Sequence, residues 1–192
     1  MAKLYFFYGA MGSSKTANAL IARFSYEHKG LKALLVKSPL DTRDGKLMRS
    51  RVGLEHPCIL IGDIDAVNVK KYHCVIVDEA QFLTKDEVMK LVHIVDNLKI
   101  PVMCYGLRAD FKGDLFPGSK ALFEMCDKIV EVKTICWCGR KALFNARFDK
   151  AGNVLKEGEQ IVVGADDQYT GLCRKHWSAG DLGKAHKRRL LK

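Results

Sequence analysis

The first cluster able to do chemistry is Gly9-Ala10-Met11-Gly12-Ser13-Ser14-Lys15-Thr16, a glycine-containing octet that ends in a lysine and a hydroxyl. It follows a strand-like apolar run, Leu4 to Tyr8, and opens a helix-like run, Thr16 to Tyr26. In that setting successive backbone N–H groups and a helix N-terminus face phosphate oxygens, while Lys15 reaches the outer phosphates and the Thr16 hydroxyl holds Mg²⁺. The spacing points to a nucleoside triphosphate cradled by residues 9–16. The common pattern has glycine directly before the lysine, where this chain has Ser14. A Cβ there crowds the loop, so Ser14→Gly is expected to tighten ATP binding.

A second cluster, Cys74-Val75-Ile76-Val77-Asp78-Glu79, is an apolar strand that ends in two carboxylates. Ligands of open α/β sheets collect at the carboxyl ends of strands, which puts the acidic pair beside the octet. Asp78 suits Mg²⁺, and Glu79 suits taking a proton from whatever attacks the γ-phosphate. Residue types alone leave two attackers open: water, making an ATPase, or a hydroxyl, making a kinase. A third cluster, Cys136-x-Cys138 with Cys173-x-x-His176, offers three thiolates and an imidazole. That set fills a tetrahedral Zn²⁺ shell and leaves no open position, so the metal is structural.

Elements of alternating type must hold these clusters. Apolar runs at Leu4–Tyr8, Lys32–Lys37, Cys58–Ile61, Cys74–Val77, Pro101–Tyr105 and Lys128–Val132 read as strands. Helical spacing appears at Thr16–Tyr26 and at Lys85–Leu98, the latter with Thr84 as its N-cap. The expected fold is α/β, a P-loop parallel sheet with helices on both faces (a RecA-like core), plus a small zinc-bearing β lobe. Residues 1–133 form the nucleotide-binding domain, 134–180 the zinc lobe, and 181–192 a basic flexible tail. Within the lobe, Lys141–Asp149 and Val154–Val163 read as strands and 164–172 as a flexible loop. A lobe of this size cannot rely on its own core, and zinc would clamp its two ends.

Composition narrows the function classes. With 192 residues, 48% of them hydrophobic, the chain can bury a real core and is not globally disordered. The net charge of +10 suits anionic ligands such as nucleotides. Nucleic acid is the less favoured partner, since no basic stripe runs inside the fold. There is no apolar run long enough to span a bilayer and no secretory signal, so no membrane partner and a cytoplasmic address are expected. In that compartment the seven cysteines are thiols, and Cys58, Cys74, Cys104 and Cys126 read as buried small hydrophobes. The strongest rival at this point is a nucleic-acid-dependent ATPase, with a zinc-ribbon adaptor carrying a decayed phosphate loop behind it.

Taken together, Tyr8–Thr16, Val77–Phe82 (Val-Asp-Glu-Ala-Gln-Phe), Cys104–Phe116 (Cys-Tyr-Gly-Leu-Arg-Ala-Asp-Phe-Lys-Gly-Asp-Leu-Phe), Thr134–Lys141 and Cys173–His176 resemble the type II thymidine kinases, bacterial branch, over about residues 1–177. The resemblance implies transfer of the γ-phosphoryl of ATP to the 5′-hydroxyl of thymidine or deoxyuridine. Glu79 would be the catalytic base, Asp78 and Thr16 the Mg²⁺ side, and Lys15 the phosphate lysine. Asp41 and Arg43 would be an acid-and-arginine pair near the phosphates, with Ala80 and Gln81 in the same motif as Glu79. The nucleoside pocket would take Met11, Phe82, Leu107, Phe111, Val162 and Tyr169, closed by a loop over residues 162–172. A homotetramer and feedback inhibition by thymidine triphosphate are implied as well. Because the phosphate loop sits in the other domain, removing zinc is expected to harm nucleoside capture more than ATP binding.

Overall fold

Cys74–Asp78 is buried along its whole length, and its alternate side chains serve two different cores. Val75 and Val77 join one, and Cys74 and Ile76 join the other. That two-sided burial is why the run is apolar throughout and why it can only be an interior strand of a covered sheet. The computed structural model describes residues 1–41, 44–161 and 168–183.

In chain order the first part holds β1 (Leu4–Gly9), α1 (Lys15–Glu27), β2 (Ala33–Lys37), a hairpin of β3 (Leu47–Arg49) and β4 (Glu55–Pro57), β5 (Ile59–Leu60) and β6 (Cys74–Asp78). It continues with α2 (Lys85–Leu98), β7 (Val102–Leu107), α3 (Pro117–Met125) and β8 (Lys128–Glu131). The second part holds β9 (Phe144–Phe148), β10 (Val154–Leu155), β11 (Tyr169–Leu172) and α4 (Arg174–Ala179). The main sheet has the order β5-β2-β6-β7-β1-β8, with all neighbours parallel. On one face α2 and α3 bury Val88, Leu91, Ile94, Val95, Ala121 and Leu122 against Leu4, Phe6, Val36 and Val102. On the other, Ala19 and Leu20 of α1 and Met48 of β3 cover Leu35, Ile76 and Tyr105. Each fully buried aliphatic side chain contributes about 1.5–3 kcal/mol, so the two faces together anchor the strand ends that carry the chemistry.

Local signals fix the helix starts. Thr84 caps α2 through a reciprocal box in which its hydroxyl accepts from the Glu87 N–H and Glu87 accepts from the Thr84 N–H. Pro117 opens α3, where its missing N–H costs nothing. That helix, absent from the sequence-based expectation, is short and carries Gly118 and Ser119, so its periodicity is weak; it forms by packing on the turn at 80–83.

The small lobe departs from expectation in two places. Of the run 154–163 only Val154–Leu155 is a strand within the described residues. Tyr169–Leu172, expected to be loop, is β11, paired antiparallel with β9 from Tyr169↔Arg147 to Leu172↔Phe144. The pairing is long-range, and a Tyr-Thr-Gly-Leu segment carries no alternation that announces it. The start of the expected tail is docked: Leu182 is buried and the Trp137 indole N–H donates to the Asp181 carbonyl. Val162 and Arg43 lie outside the described residues, as do 163–167 and 184–192. Among the described residues no helix is long and apolar enough to cross a membrane. Cys58, Cys74 and Cys104 are buried thiols, and Cys126 is partly buried.

Candidate active site

The sheet order puts β7 between β6 and β1, so the carboxyl ends of β1 and β6 lie roughly 10 Å apart, two strand spacings, with the end of β7 between them. Residues 10–14 leave β1 and turn into α1. Gly9 must be glycine: a Cβ there would sit 2.5 Å from the Val132 carbonyl oxygen and 2.4 Å from Ser13 Oγ. Gly12 (φ +78°) and Ser14 (φ +59°) take left-handed backbone, the alternation that curls successive N–H groups into an anion-binding nest. Ser14 stands at the N-cap of α1 without a side-chain cap bond. The first-turn amides therefore take no acceptor from the cap and remain suited to phosphate oxygens.

The left-handed Ser14 gives the departure at this position a physical meaning. A Cβ in this region costs about 1–2 kcal/mol, part of which glycine returns through the larger entropy of its unfolded chain. Ser14→Gly is therefore expected to stabilise the fold by up to about 1 kcal/mol, read as a higher urea midpoint at constant m-value. A lower midpoint would show that the serine carries compensating contacts.

Lys15 reaches back across the loop. Its Nζ donates to the carbonyls of Ala10 (3.0 Å) and Gly9 (3.4 Å) and to Ser13 Oγ (3.2 Å). Loss of solvent pulls its pKa down to about 8, against the attraction of Glu79 and then of Asp78. Both carboxylates therefore act on the Lys15 ammonium. Asp78 is buried at the end of β6, and burial followed by repulsion from Glu79 raises its pKa. A hydrogen bond from the Thr16 side chain opposes that rise. Thr16 and Asp78 thus lie side by side, and a hydroxyl beside a carboxylate is the hard oxygen set that Mg²⁺ takes beside phosphates.

Glu79 turns back from the strand with φ +50°, a left-handed conformation uncommon outside glycine. Gln81, fully buried, holds it there. Its Nε2 donates to Glu79 Oε2 at 2.5 Å while its Oε1 accepts the Leu107 N–H at 3.0 Å. The same residue of β7 is fixed from the other side, where Ser119 Oγ donates to the Leu107 carbonyl at 2.6 Å. The ends of β6 and β7 are thereby locked in register around the carboxylate. Ala80 is fully buried behind it.

One cleft of about 460 Å³ is lined by Met11 to Ala17, Glu79 and Leu107 on one side and by Asp44 and Arg49 to Val52 on the other. The second wall was not foreseen from sequence. Its signal was a concentration of basic residues, Arg43, Lys46, Arg49 and Arg51, in a stretch without a long apolar run. Arg51 lies close enough for its charge to depress Lys15. Arg49 is committed to Asp44 (3.1 Å) and Glu55 (2.8 Å). Asp41 is not on the cleft wall; it pairs at 3.3 Å with Lys37, a lysine buried at the end of β2 that also donates to the Leu47 carbonyl. Of the expected nucleoside residues, Met11 and Leu107 line the cleft. Phe111 and Tyr169 come together apart from that wall, beneath the Arg147 guanidinium at 5.5 and 6.0 Å. Phe82 packs edge-on to Phe116 at 5.7 Å.

The four expected metal residues do converge. Their ligand atoms lie within 4.8 Å of one another. His176 Nδ1 is 3.4 Å from Cys136 Sγ and 3.5 Å from Cys173 Sγ, and the sulfurs of Cys138 and Cys173 are 4.0 Å apart. Tetrahedral zinc needs S···N near roughly 3.6 Å and S···S near roughly 3.8 Å, so these three separations match that ion to within a few tenths of an ångström. Trp137 stacks on the His176 ring at 4.2 Å, and Arg140 Nε donates to Cys138 Sγ at 3.5 Å. The arginine pulls the Cys138 thiol down to about 6, favouring the thiolate that a metal requires.

The family profile described as thymidine kinase matches residues 2–177. The chain belongs to the thymidine kinase family. Its curated relatives named thymidine kinase include that of Vibrio vulnificus strain YJ016, 45% identical over 96% of this chain and all of that protein. Those of Legionella pneumophila strain Paris (42%, all of this chain and 96% of that protein) and Salmonella choleraesuis (44%, 92% and 91%) are similar over nearly their full lengths. The thymidine kinase match spans the octet, the strand-end acids and the Cys₃His quartet, and stops one residue after His176.

Proposed function

We propose that this member of the thymidine kinase family transfers the γ-phosphoryl of ATP to the 5′-hydroxyl of thymidine or deoxyuridine, giving the nucleoside monophosphate and ADP. The observation that carries the reading is the meeting of Lys15, Thr16 and Glu79 on one cleft large enough for a nucleotide, at the end of the sheet where Asp78 is buried beside them. Residues 9–16 take the triphosphate, with Lys15 leaving its loop carbonyls for the phosphate oxygens. Thr16 and Asp78 would hold Mg²⁺, which neutralises phosphate charge when bound. Glu79, aimed by Gln81, accepts the 5′-hydroxyl proton as the new O–P bond forms. The bond from the γ-phosphorus to the bridging oxygen breaks, and its electrons leave with ADP. Arg51 adds positive potential from the opposite wall, and the family resemblance, not the cleft wall, is what assigns Asp41 and Arg43 to the phosphate side.

Met11, Leu107, Phe82, Phe111, Val162 and Tyr169 are assigned to the nucleoside. The Cys136–Cys138–Cys173–His176 quartet is assigned a structural zinc, and residues 134–180 the lobe it clamps. Homotetramer formation, feedback inhibition by thymidine triphosphate and a cytoplasmic address belong to the same reading, supported by the family resemblance. A phosphorylation assay over a panel of nucleosides tests it: ADP release should depend on thymidine or deoxyuridine and be indifferent to DNA. ATP turnover that requires DNA, with no nucleotide product, would replace the kinase by a nucleic-acid motor.

A further inference from the structure

Asn145 lies on β9 and is 4% exposed, yet its carboxamide is fully engaged with two loops of the main sheet. Its Oδ1 accepts the Met11 N–H at 2.8 Å, and its Nδ2 donates to the Ala109 carbonyl at 2.7 Å. The partners fix the orientation of the amide, since an N–H must meet the oxygen and a carbonyl must meet the nitrogen. Met11 belongs to the phosphate loop after β1; Ala109 belongs to the loop after β7. One side chain of the small lobe therefore sets the spacing between two loops that are otherwise unconnected in sequence.

Each loop continues into a residue assigned to the nucleoside. Met11 itself lines the cleft. Ala109 leads into Asp110 and Phe111, where Asp110 Oδ1 accepts the backbone N–H groups of Lys112, Gly113 and Asp114, and Oδ2 accepts from Gln160 Nε2 at 3.0 Å. The loop is thus a rigid unit, and its position relative to Met11 follows from Asn145. Arg147, two residues on and so on the same face of β9, lies over Phe111 and Tyr169. The small lobe also approaches at β11: a Cβ on Gly171 would lie 2.9 Å from the Met11 carbonyl oxygen and 3.4 Å from Ala10 Cβ. By taking the Met11 N–H, Asn145 removes that amide from the phosphate-facing set, which leaves the amides from Gly12 onward for the triphosphate.

We infer that Asn145 is a positioning residue that holds Met11 and the Phe111 loop at the separation thymidine requires, coupling the small lobe to the nucleoside end of the phosphate loop. The inference rests on the kinase reading above and deepens it. A carboxamide suits the place because, on two separate atoms and at every pH, it offers an acceptor to one loop and a donor to the other.

Asn145→Asp tests this with little change of shape. Ionised, the new carboxylate faces the Ala109 carbonyl without a hydrogen; protonated, it donates there and still accepts from Met11, as asparagine does. Arg108, Asp110 and Arg147 are the charged neighbours along the flanking segments and set where that carboxyl titrates. Relative to the wild type at each pH, KM for thymidine should rise about tenfold near pH 8.5 and return to within about twofold near pH 5.5, with KM for ATP moving much less, because Thr134 and Gly171 still hold the phosphate loop. A threonine offers one hydroxyl to two partners, so Asn145→Thr should raise KM for thymidine at every pH without that recovery. Losses equal for thymidine and ATP and independent of pH would reduce Asn145 to a packing residue and overturn the inference. Should the aspartate variant not fold, the threonine variant's KM pattern and hydrogen exchange at the Met11 amide decide. That amide should be protected in the wild type and exchange at least tenfold faster in the variant. Exchange is read without substrate, so a wild type that fails to phosphorylate thymidine would sink the kinase reading while leaving the clasp testable.

Discussion

Glu79→Gln should leave ATP binding within about threefold of the wild type while cutting thymidine phosphorylation by roughly 10² to 10⁴, the scale of losing a general base. The substitution preserves size and the contact with Gln81, whose Nε2 now meets a carboxamide oxygen in place of a carboxylate. What disappears is an acceptor able to keep the 5′-hydroxyl proton. The electrostatic side effects are small and of known sign. Glu79 helps to raise the pKa of Asp78, so its neutralisation lets Asp78 ionise more readily and does not weaken the Mg²⁺ side. Lys15 loses its stronger carboxylate partner, and a bound triphosphate supplies that charge again. Single-turnover measurement at saturating ATP and thymidine, beside calorimetric ATP binding, separates the two effects. A single-turnover rate above a tenth of the wild-type value would remove Glu79 from the role of base.

Stripping zinc, or Cys173→Ser, should cost at least about 100-fold in kcat/KM for thymidine and weaken ATP binding as well, because misplacing reacting groups by an ångström already costs about that much. The small lobe has few means of holding itself together. Its buried cluster is Cys136, Ala142, Ala146, Phe148, Leu172, Cys173 and Leu182, so two metal residues are also core residues. From sequence alone the phosphate loop belongs to another domain, and the loss should fall on thymidine. In the folded chain the lobe touches that loop three times. Asn145 holds the Met11 N–H, Gly171 seats against the Met11 carbonyl, and Thr134 Oγ1 donates to the Gly12 carbonyl at 3.3 Å. Chelation followed by calorimetry for each ligand, with metal content measured in parallel, gives the result. Zinc-free protein that keeps full ATP affinity would show that these contacts do not order the loop.

Several parts of the site were legible because their physics is local. The octet needs only short-range spacing to place amides, a lysine and a hydroxyl on one anion. The run Cys74–Val77 reads as an interior strand because both of its faces are apolar, and Asp78 and Glu79 follow at its ligand-binding end. Thr84 and Glu87 form the capping box that their spacing allows. The hairpin wall with Arg49 and Arg51 was not legible, since its strands are three residues each and gain their stability from covering Met48 against the sheet. β11 was missed for a related reason: its hydrogen bonds come from a strand more than twenty residues earlier in the chain.

The sequence by itself offered the groups proposed for the chemistry: a phosphate loop with Lys15 and Thr16, an acid pair at a strand end, and two ligand pairs of a Cys₃His set, each written in residues a few positions apart. Tertiary structure alone decided how they are aimed. Gln81 ties Glu79 to β7, Lys37 holds Asp41 and the hairpin, and Asn145 joins the small lobe to Met11. Each is a single buried polar side chain with at least one partner outside its own segment, Leu107 for Gln81, Leu47 for Lys37, and Met11 and Ala109 for Asn145, and no local periodicity records such a hydrogen bond. Only the closing of the fold, which strips water from them and leaves one partner within reach, makes the choice.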